Sequence, residues 1–266
     1  MRQTTKYRAR KPDANGFVHY TRNEHAVWAE LYAQQSAAVV GKACDEFLHG
    51  LDLLRFSPDR VPQLEEVSRV LRRHTGWEAV AVPALIPLEQ FFALLATKRF
   101  PAATFVRHHE DLDYLPEPDI FHELFGHMPL LTNRYFAEFT QAYGRLGMNA
   151  SDGEREALAR LYWFTAEFGL IQKPGAALRV YGGGILSSMG ETAYAVNSVR
   201  PERRRFDLLD VLRMPYRIDA LQPVYYVIED FSELYELSRI DLMSKIAAAH
   251  QLGLLPALFP SQQEAA

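Results

Sequence analysis

Pro118-Asp119-Ile120-Phe121-His122-Glu123-Leu124-Phe125-Gly126-His127 sets two histidines five positions apart, with one carboxylate beside the first and another three positions before it. That spacing decides how the segment can fold. A zinc-peptidase helix reads His-Glu-x-x-His, with both imidazoles on one face. Here one more residue intervenes. An α-helix advances about 100° per residue, so i,i+4 leaves two side chains roughly 40° apart and i,i+5 leaves them roughly 140° apart. For both rings to serve one ion, the helix must leave α geometry near Gly126, as a π turn or by ending there. Glycine suits the position because it tolerates backbone angles that other residues avoid.

Two neutral imidazoles and one carboxylate on one side of a metal form the facial triad of non-haem Fe(II) oxygenases, with further coordination positions left open. Glu123 points about 100° away from His122 on a helix and is a poor co-ligand. Asp119 shares the face of His122 and is expected to accept its second ring N–H, fixing the tautomer. The best third ligand is Glu167, a lone carboxylate in the aromatic stretch Tyr162-Trp163-Phe164-Thr165-Ala166-Glu167-Phe168-Gly169. A buried carboxylate needs a positive partner or a metal. Two alternatives stay open: Glu191 competes as a ligand, and Glu167 could pair with Arg160 or Lys173 instead. His108 and His109, being adjacent, point apart and read as ordinary surface or structural residues.

Outward from this segment, the chain has 266 residues, 48% of them hydrophobic, which is enough for one sizeable core. A net charge of −4 and a pI near 6.1 argue against a nucleic-acid partner. The triplet Arg203-Arg204-Arg205 lies between Glu202 and Asp207 and reads as a solvated turn. Cys44 is the only cysteine, so an internal disulfide and a cysteine-based metal cluster are both excluded, and a cytoplasmic setting is the expectation. No apolar run reaches the ~20 residues that cross a bilayer.

Helical periodicity is strong over 24–37 and 41–54, and further helices are expected over 62–74, 87–97, 133–146, 153–168 and 232–250. Strands are expected at 78–82, 103–107, 178–181 and 224–228, with the glycine run Gly182-Gly183-Gly184 in a loop before a helix starting near Ser188. That run matches neither a P-loop nor a dinucleotide fingerprint. The pattern predicts a mainly α fold: a single compact catalytic domain of many helices with a few short β-strands, over 23–258. Residues 1–22 are expected to form a flexible arm and 259–266 a flexible tail.

Several segments together resemble the pterin-dependent aromatic amino acid hydroxylases, and most closely the bacterial phenylalanine 4-hydroxylases. They are Ala81–Pro87, Tyr114–His127, Tyr162–Leu170, Tyr181–Ser188 and Gln222–Val227, in the family's order and spacing. The resemblance covers roughly residues 25–250. It implies Fe(II) held by His122, His127 and Glu167, a tetrahydropterin cosubstrate, and O2-dependent hydroxylation of phenylalanine to tyrosine. It implies that Leu85 and Ile86 hydrogen-bond the pterin edge, that Phe91 stacks on its ring, and that Glu123 faces it as an exposed carboxylate. Arg107 matches the arginine that clamps the amino acid carboxylate; Pro118, Trp163, Gly184 and Ser187 match the substrate-site walls. Ile218 falls where phenylalanine and tryptophan hydroxylases carry an aliphatic residue, which keeps tryptophan hydroxylation and 3-hydroxylation of phenylalanine as alternatives; a zinc hydrolase is a more distant one. Leu115 and Gly183 depart from the usual threonine and alanine, and Gly183 is expected to loosen its loop. The family's regulatory domain and tetramerisation helix have no counterpart here, which implies a monomer acting on small molecules alone.

Overall fold

The computed structural model describes residues 6–83, 86–112, 115 and 117–259. The chain opens with α1 (Arg22–Ala38), whose start is fixed by reciprocal bonds between Thr21 and Glu24. Then follow α2 (Asp45–Leu54) and α3 (Leu64–His74). The helix expected from residue 41 begins at Asp45, because Gly41 sits at φ 69°, outside helical geometry. Strand β1 (Glu78–Val82), helix α4 (Leu88–Ala96) and strand β2 (Arg99–Ala103) form a strand–helix–strand unit in which β2 pairs parallel with β1. The strand expected at 103–107 thus lies earlier in the chain. Pro101, which cannot donate to a ladder, is tolerated opposite Val80 in a sheet of only two strands.

After the histidine segment come α5 (Arg134–Asn149) and α6 (Asp152–Tyr162). A four-stranded sheet then assembles from β3 (Leu170–Ile171), β4 (Arg179–Val180), β5 (Glu202–Arg205) and β6 (Val224–Ile228), in the order β4-β3-β6-β5. The helices α7 (Gly183–Leu186), α8 (Met189–Asn197) and α9 (Leu208–Arg213) lie between its strands, and α10 (Phe231–Leu237) and α11 (Leu242–Leu252) close the described chain. Three expectations change here. The glycine run enters α7 rather than a loop. The basic triplet forms the edge strand β5, where Arg203 donates to the carbonyls of Ala195 and Ser198 and Arg204 pairs with Glu202. The expected helix over 232–250 is two helices, divided where Ser238 turns back on Tyr235 and Asp241 caps α11 through the Ser244 N–H.

The structure is mainly α, with strands too short to form a layer of their own. One hydrophobic core runs through it, from Trp28 of α1 through Phe47, Phe121 and Phe125 to Phe164, Tyr225 and Phe231. The expected flexible arm is docked over its described part. Tyr7 is buried, stacks on Phe105 at 4.7 Å and donates to Asp111. Val18 exchanges two backbone bonds with the Gln63 side chain, at 2.8 and 3.0 Å. Residues 260–266 of the expected tail lie outside the described residues.

Candidate metal centre

Both carboxylate- and imidazole-bearing segments leave α geometry. His122–His127 is a π turn, and so is Trp163–Glu167, where α6 continues past Tyr162. In the second, the Phe168 N–H bonds the Trp163 carbonyl at 2.8 Å, an i→i+5 closure. Such closure brings residues five apart over one another, which is what a five-residue histidine spacing requires. Gly126 allows this for a reason other than the expected one. Its φ is not positive; instead a Cβ there would stand 2.6 Å from the Gly183 carbonyl oxygen. Gly183 in turn lies against the His127 ring, with no room for a methyl group: its Cβ would come within 2.5–2.8 Å of three ring atoms. Far from loosening the loop, Gly183 lets α7 press onto the π turn.

The geometry converges. His122 Nε2 and His127 Nε2 are 3.0 Å apart, with ring planes at 79°. Glu167 Oε1 lies 3.2 Å from His127 Nε2 and Oε2 lies 3.7 Å from His122 Nε2. His122 Nδ1 is 2.9 Å from Ser187 Oγ, and the Ser187 hydroxyl donates to the Gly183 carbonyl at 2.8 Å. A hydroxyl has one proton. Because Ser187 gives it to Gly183, it must accept from Nδ1–H, which leaves His122 Nε2 as a bare lone pair facing His127. That lone pair and His127 Nε2, 3.0 Å apart, suit a shared cation, which would take the place of the His127 proton. Bonds of about 2.1 Å at right angles would separate neighbouring donors by about 3.0 Å, against about 3.4 Å for tetrahedral angles. The residues therefore fit a metal ion held on one face.

Charge is arranged to match. Burial pushes the His122 imidazole down to about 4, so it is neutral at pH 7. Burial works against charging His127 and Glu167 too, but their mutual attraction prevails, raising the first and lowering the second. Glu123 also comes near the two imidazoles, with one donor atom from each of the three within 4.8 Å. It is buried rather than exposed as expected, and burial, with Glu167 nearby, pushes its carboxyl up to about 8. Of the two carboxyls, Glu167 is the anionic one, and it contacts both rings. Neither Arg160 nor Lys173 reaches it: Arg160 donates to the Leu212 carbonyl and Lys173 pairs with Glu46. Glu191 is held by the Tyr225 hydroxyl and the Gln222 N–H.

Asp119 does not accept the ring N–H of His122. It is fully buried, bonds the His122 backbone N–H at 3.1 Å and receives Nε and Nη2 of Arg107 at 2.9 Å each. It thus caps the start of the turn while anchoring the arginine. Arg107 also donates to the Leu112 carbonyl, at 3.3 Å. Of its five N–H donors, two are left for a ligand among the described residues.

A cavity of about 520 Å³ adjoins this centre. Arg107, Pro118, Trp163, Gly184, Ser187 and Ile218 all line it, as do His122 and Glu167. Ile86, Phe91 and Glu123 are not in its lining. Phe91 is half-buried on α4, edge-on to Tyr162 at 5.6 Å, and Ile86 is half-buried just before that helix. Leu85 lies outside the described residues. Sequence reasoning missed Phe168, stacked on Trp163 at 4.4 Å, and the loop 219–221, both of which also line the cavity. It also gave no role to Gln222, which carries part of that wall; only the Gln222-Pro223 motif hinted at one.

A family model described as biopterin-dependent aromatic amino acid hydroxylase matches residues 2–249. The chain is 52% identical over 263 residues to a phenylalanine-4-hydroxylase of Pseudomonas aeruginosa, covering 99% of this chain and 100% of that protein. It superposes with a TM-score of 0.94 and 52% identity on the apo structure of the cold-active phenylalanine hydroxylase from Colwellia psychrerythraea, over 97% of this chain and 99% of that one. The Chromobacterium violaceum phenylalanine hydroxylase with bound oxidised Fe(III) matches with a TM-score of 0.87 and 43% identity, over 95% and 94% of the two chains. With a facial metal centre beside an arginine-bearing cavity, this chain belongs to the biopterin-dependent aromatic amino acid hydroxylases.

Proposed function

We infer that the protein is a phenylalanine 4-monooxygenase, using Fe(II), a tetrahydropterin and O2 to convert phenylalanine to tyrosine. The observation that carries this reading is the convergence of His122, His127 and Glu167 on two π turns beside a cavity that also contains Arg107. His122, His127 and Glu167 would hold the iron, which with the pterin supplies the activation of O2.

The chain's own part is binding, orientation and exclusion of water. Arg107, already oriented by Asp119, offers its remaining N–H donors to the amino acid carboxylate. Pro118, Trp163, Gly184, Ser187 and Ile218 bound the space for the aromatic ring, and Ile218 offers no partner to a ring hydroxyl. Ser187 holds His122 in the Nδ1–H tautomer, which keeps the Nε2 lone pair available to the metal. Ile86 and Leu85, with Phe91 and Glu123, are assigned to the pterin side; a neutral Glu123 carboxyl there can donate a hydrogen bond as well as accept one. Residues 23–258 form the catalytic unit, acting as a monomer in the cytoplasm on small molecules alone; no described helix is long and apolar enough to cross a membrane.

An assay with Fe(II), a tetrahydropterin and O2, offering phenylalanine, tryptophan and tyrosine in parallel, tests the reading. Tyrosine as the main product from phenylalanine is expected. Turnover only with zinc, or on tryptophan alone, would overturn it.

A further inference from the structure

Gln222 lies between the two walls of the cavity and touches both. It is 1% exposed, lies two residues before the start of β6, and carries no charge. Its Oε1 accepts the indole N–H of Trp163 at 3.1 Å. Its Nε2 donates to two carbonyls, of Arg217 and Ala220, each at 2.8 Å. The amide orientation is forced: an indole only donates and a carbonyl only accepts, so a flipped amide would lose all three bonds. Its backbone is pinned as well, since its N–H bonds Glu191 Oε1, which also takes the Tyr225 hydroxyl.

The two sides it joins differ in stiffness. Trp163 belongs to the π turn that ends at Glu167 and stacks on Phe168 at 4.4 Å and on Tyr216 at 4.5 Å. Opposite it, residues 217–221 have no regular secondary structure, and Ile218 and Leu221 are 57% and 52% exposed. Ile218, Asp219, Ala220 and Leu221 nevertheless line the cavity. Two of the bonds that hold this segment in place run to one buried amide.

We propose that Gln222 is a positioning residue that sets the width of the aromatic pocket, by fixing the 217–221 segment at a set distance from Trp163. The inference rests on the hydroxylase reading and extends it to ring-size selection. No other neutral side chain of this length offers one acceptor and two donors in a plane, so the role is specific to glutamine. Asparagine is a methylene too short, and glutamate sets an oxygen against two carbonyls.

Gln222→Glu keeps the acceptor toward Trp163 and disrupts only the loop side; Gln222→Met removes both sides at similar volume. Both variants are expected to raise KM for phenylalanine by about tenfold, the effect of one buried hydrogen bond, with the pterin KM changed by less than about twofold. The preference for phenylalanine over tryptophan should fall by about threefold or more in both, further in Gln222→Met, as the wall retreats. Wild-type turnover of phenylalanine is the separate control for the hydroxylase reading. With that control active, folded variants that keep the wild-type KM and selectivity would overturn the inference, as would equal rises in both KM values. Should neither variant fold, the wild-type protein decides: the Trp163 indole N–H, assigned by its loss in Trp163→Phe, should exchange slowly in D2O and shift when phenylalanine is added. Exchange as fast as an exposed indole sinks the proposal.

Discussion

Replacing Gly126 by alanine tests whether close approach, rather than backbone freedom, reserves this position. The added methyl carbon would stand 2.6 Å from the Gly183 carbonyl oxygen and 3.2 Å from its carbon. Carbon–oxygen contacts rest at about 3.3 Å or more, so the overlap is about 0.7 Å. Neither side yields easily. Gly183 is stopped by the His127 ring, and the Gly182 N–H is bonded to the Gly169 carbonyl at 3.0 Å. Overpacking of this kind costs about 1–3 kcal/mol. Alanine recovers up to about 1 kcal/mol through its helical preference. With full recovery the net loss is up to about 2 kcal/mol, which for a chain of this size lowers Tm by up to about 8 °C. The strain falls on the turn that carries both histidines, so iron affinity should fall by about tenfold or more, in the range seen when supporting contacts of a metal ligand are lost. Thermal unfolding gives the first quantity, and titration of the apoprotein with Fe(II) against a competing chelator gives the second. A variant with unchanged Tm and unchanged iron affinity would refute the packing argument. A loss of stability alone would place the strain in α7 rather than in the metal turn.

Ser187→Ala removes the acceptor that fixes the His122 tautomer and should weaken iron binding by about 10–100-fold with little change in Tm, read by the same titration. Asp119→Asn breaks a buried ion pair and should destabilise the fold by about 3–5 kcal/mol at pH 7, read by urea unfolding. Burial alone would raise the Asp119 carboxyl, but Arg107 and two backbone N–H groups hold it below its ordinary 3.8. Its contribution is thus present above that value and lost as pH falls through the lower folded one, so the wild type should lose stability on acidification where the asparagine variant changes less. Arg107→Ala should raise KM for phenylalanine far more than KM for the pterin; the reverse pattern would unseat its assignment to the carboxylate. Glu167→Ala and His127→Ala should each abolish tyrosine formation while the circular dichroism spectrum stays native, and an active variant of either would dismiss that residue as a ligand.

The departure from α geometry was legible because it follows from counting: a histidine spacing of five positions overshoots the four that put two side chains on one face of an α-helix, whatever surrounds them. The helices carried by periodicity, such as Leu64–His74 and Leu88–Ala96, were legible for a similar local reason. Long-range partners were not. Nothing near Asp119 in the sequence says that its carboxylate meets Arg107 rather than the ring of His122, because Arg107 lies twelve positions away and only the fold brings it alongside. The burial of Glu123 was hidden for the same reason: its surroundings, such as Ala103 and Glu167, come from other elements. Strand β5 was unreadable from Glu202-Arg203-Arg204-Arg205, since edge strands with charged side chains carry no hydrophobic alternation. Tyr7 and Val18, scattered among polar residues, gave no periodic signal, although each packs against the folded body.

The two π turns place this protein's activity under the control of residue number as much as residue type. A π turn is an α-helix carrying one residue too many, and its backbone bonding is poorer than the helix on either side. Loss of a single codon from the Leu124–Gly126 stretch would let the first turn relax to an α-helix, with better backbone bonding and histidines at i,i+4. Such a deletion would favour the helix and remake the histidines as an i,i+4 pair on one helical face, out of the register that now sets them against Glu167. Stability and activity would then move in opposite directions, as expected where a strained element is kept for function. Length-altering changes in these two short windows are therefore the ones this chain has least freedom to accept, while its surface loops can absorb them.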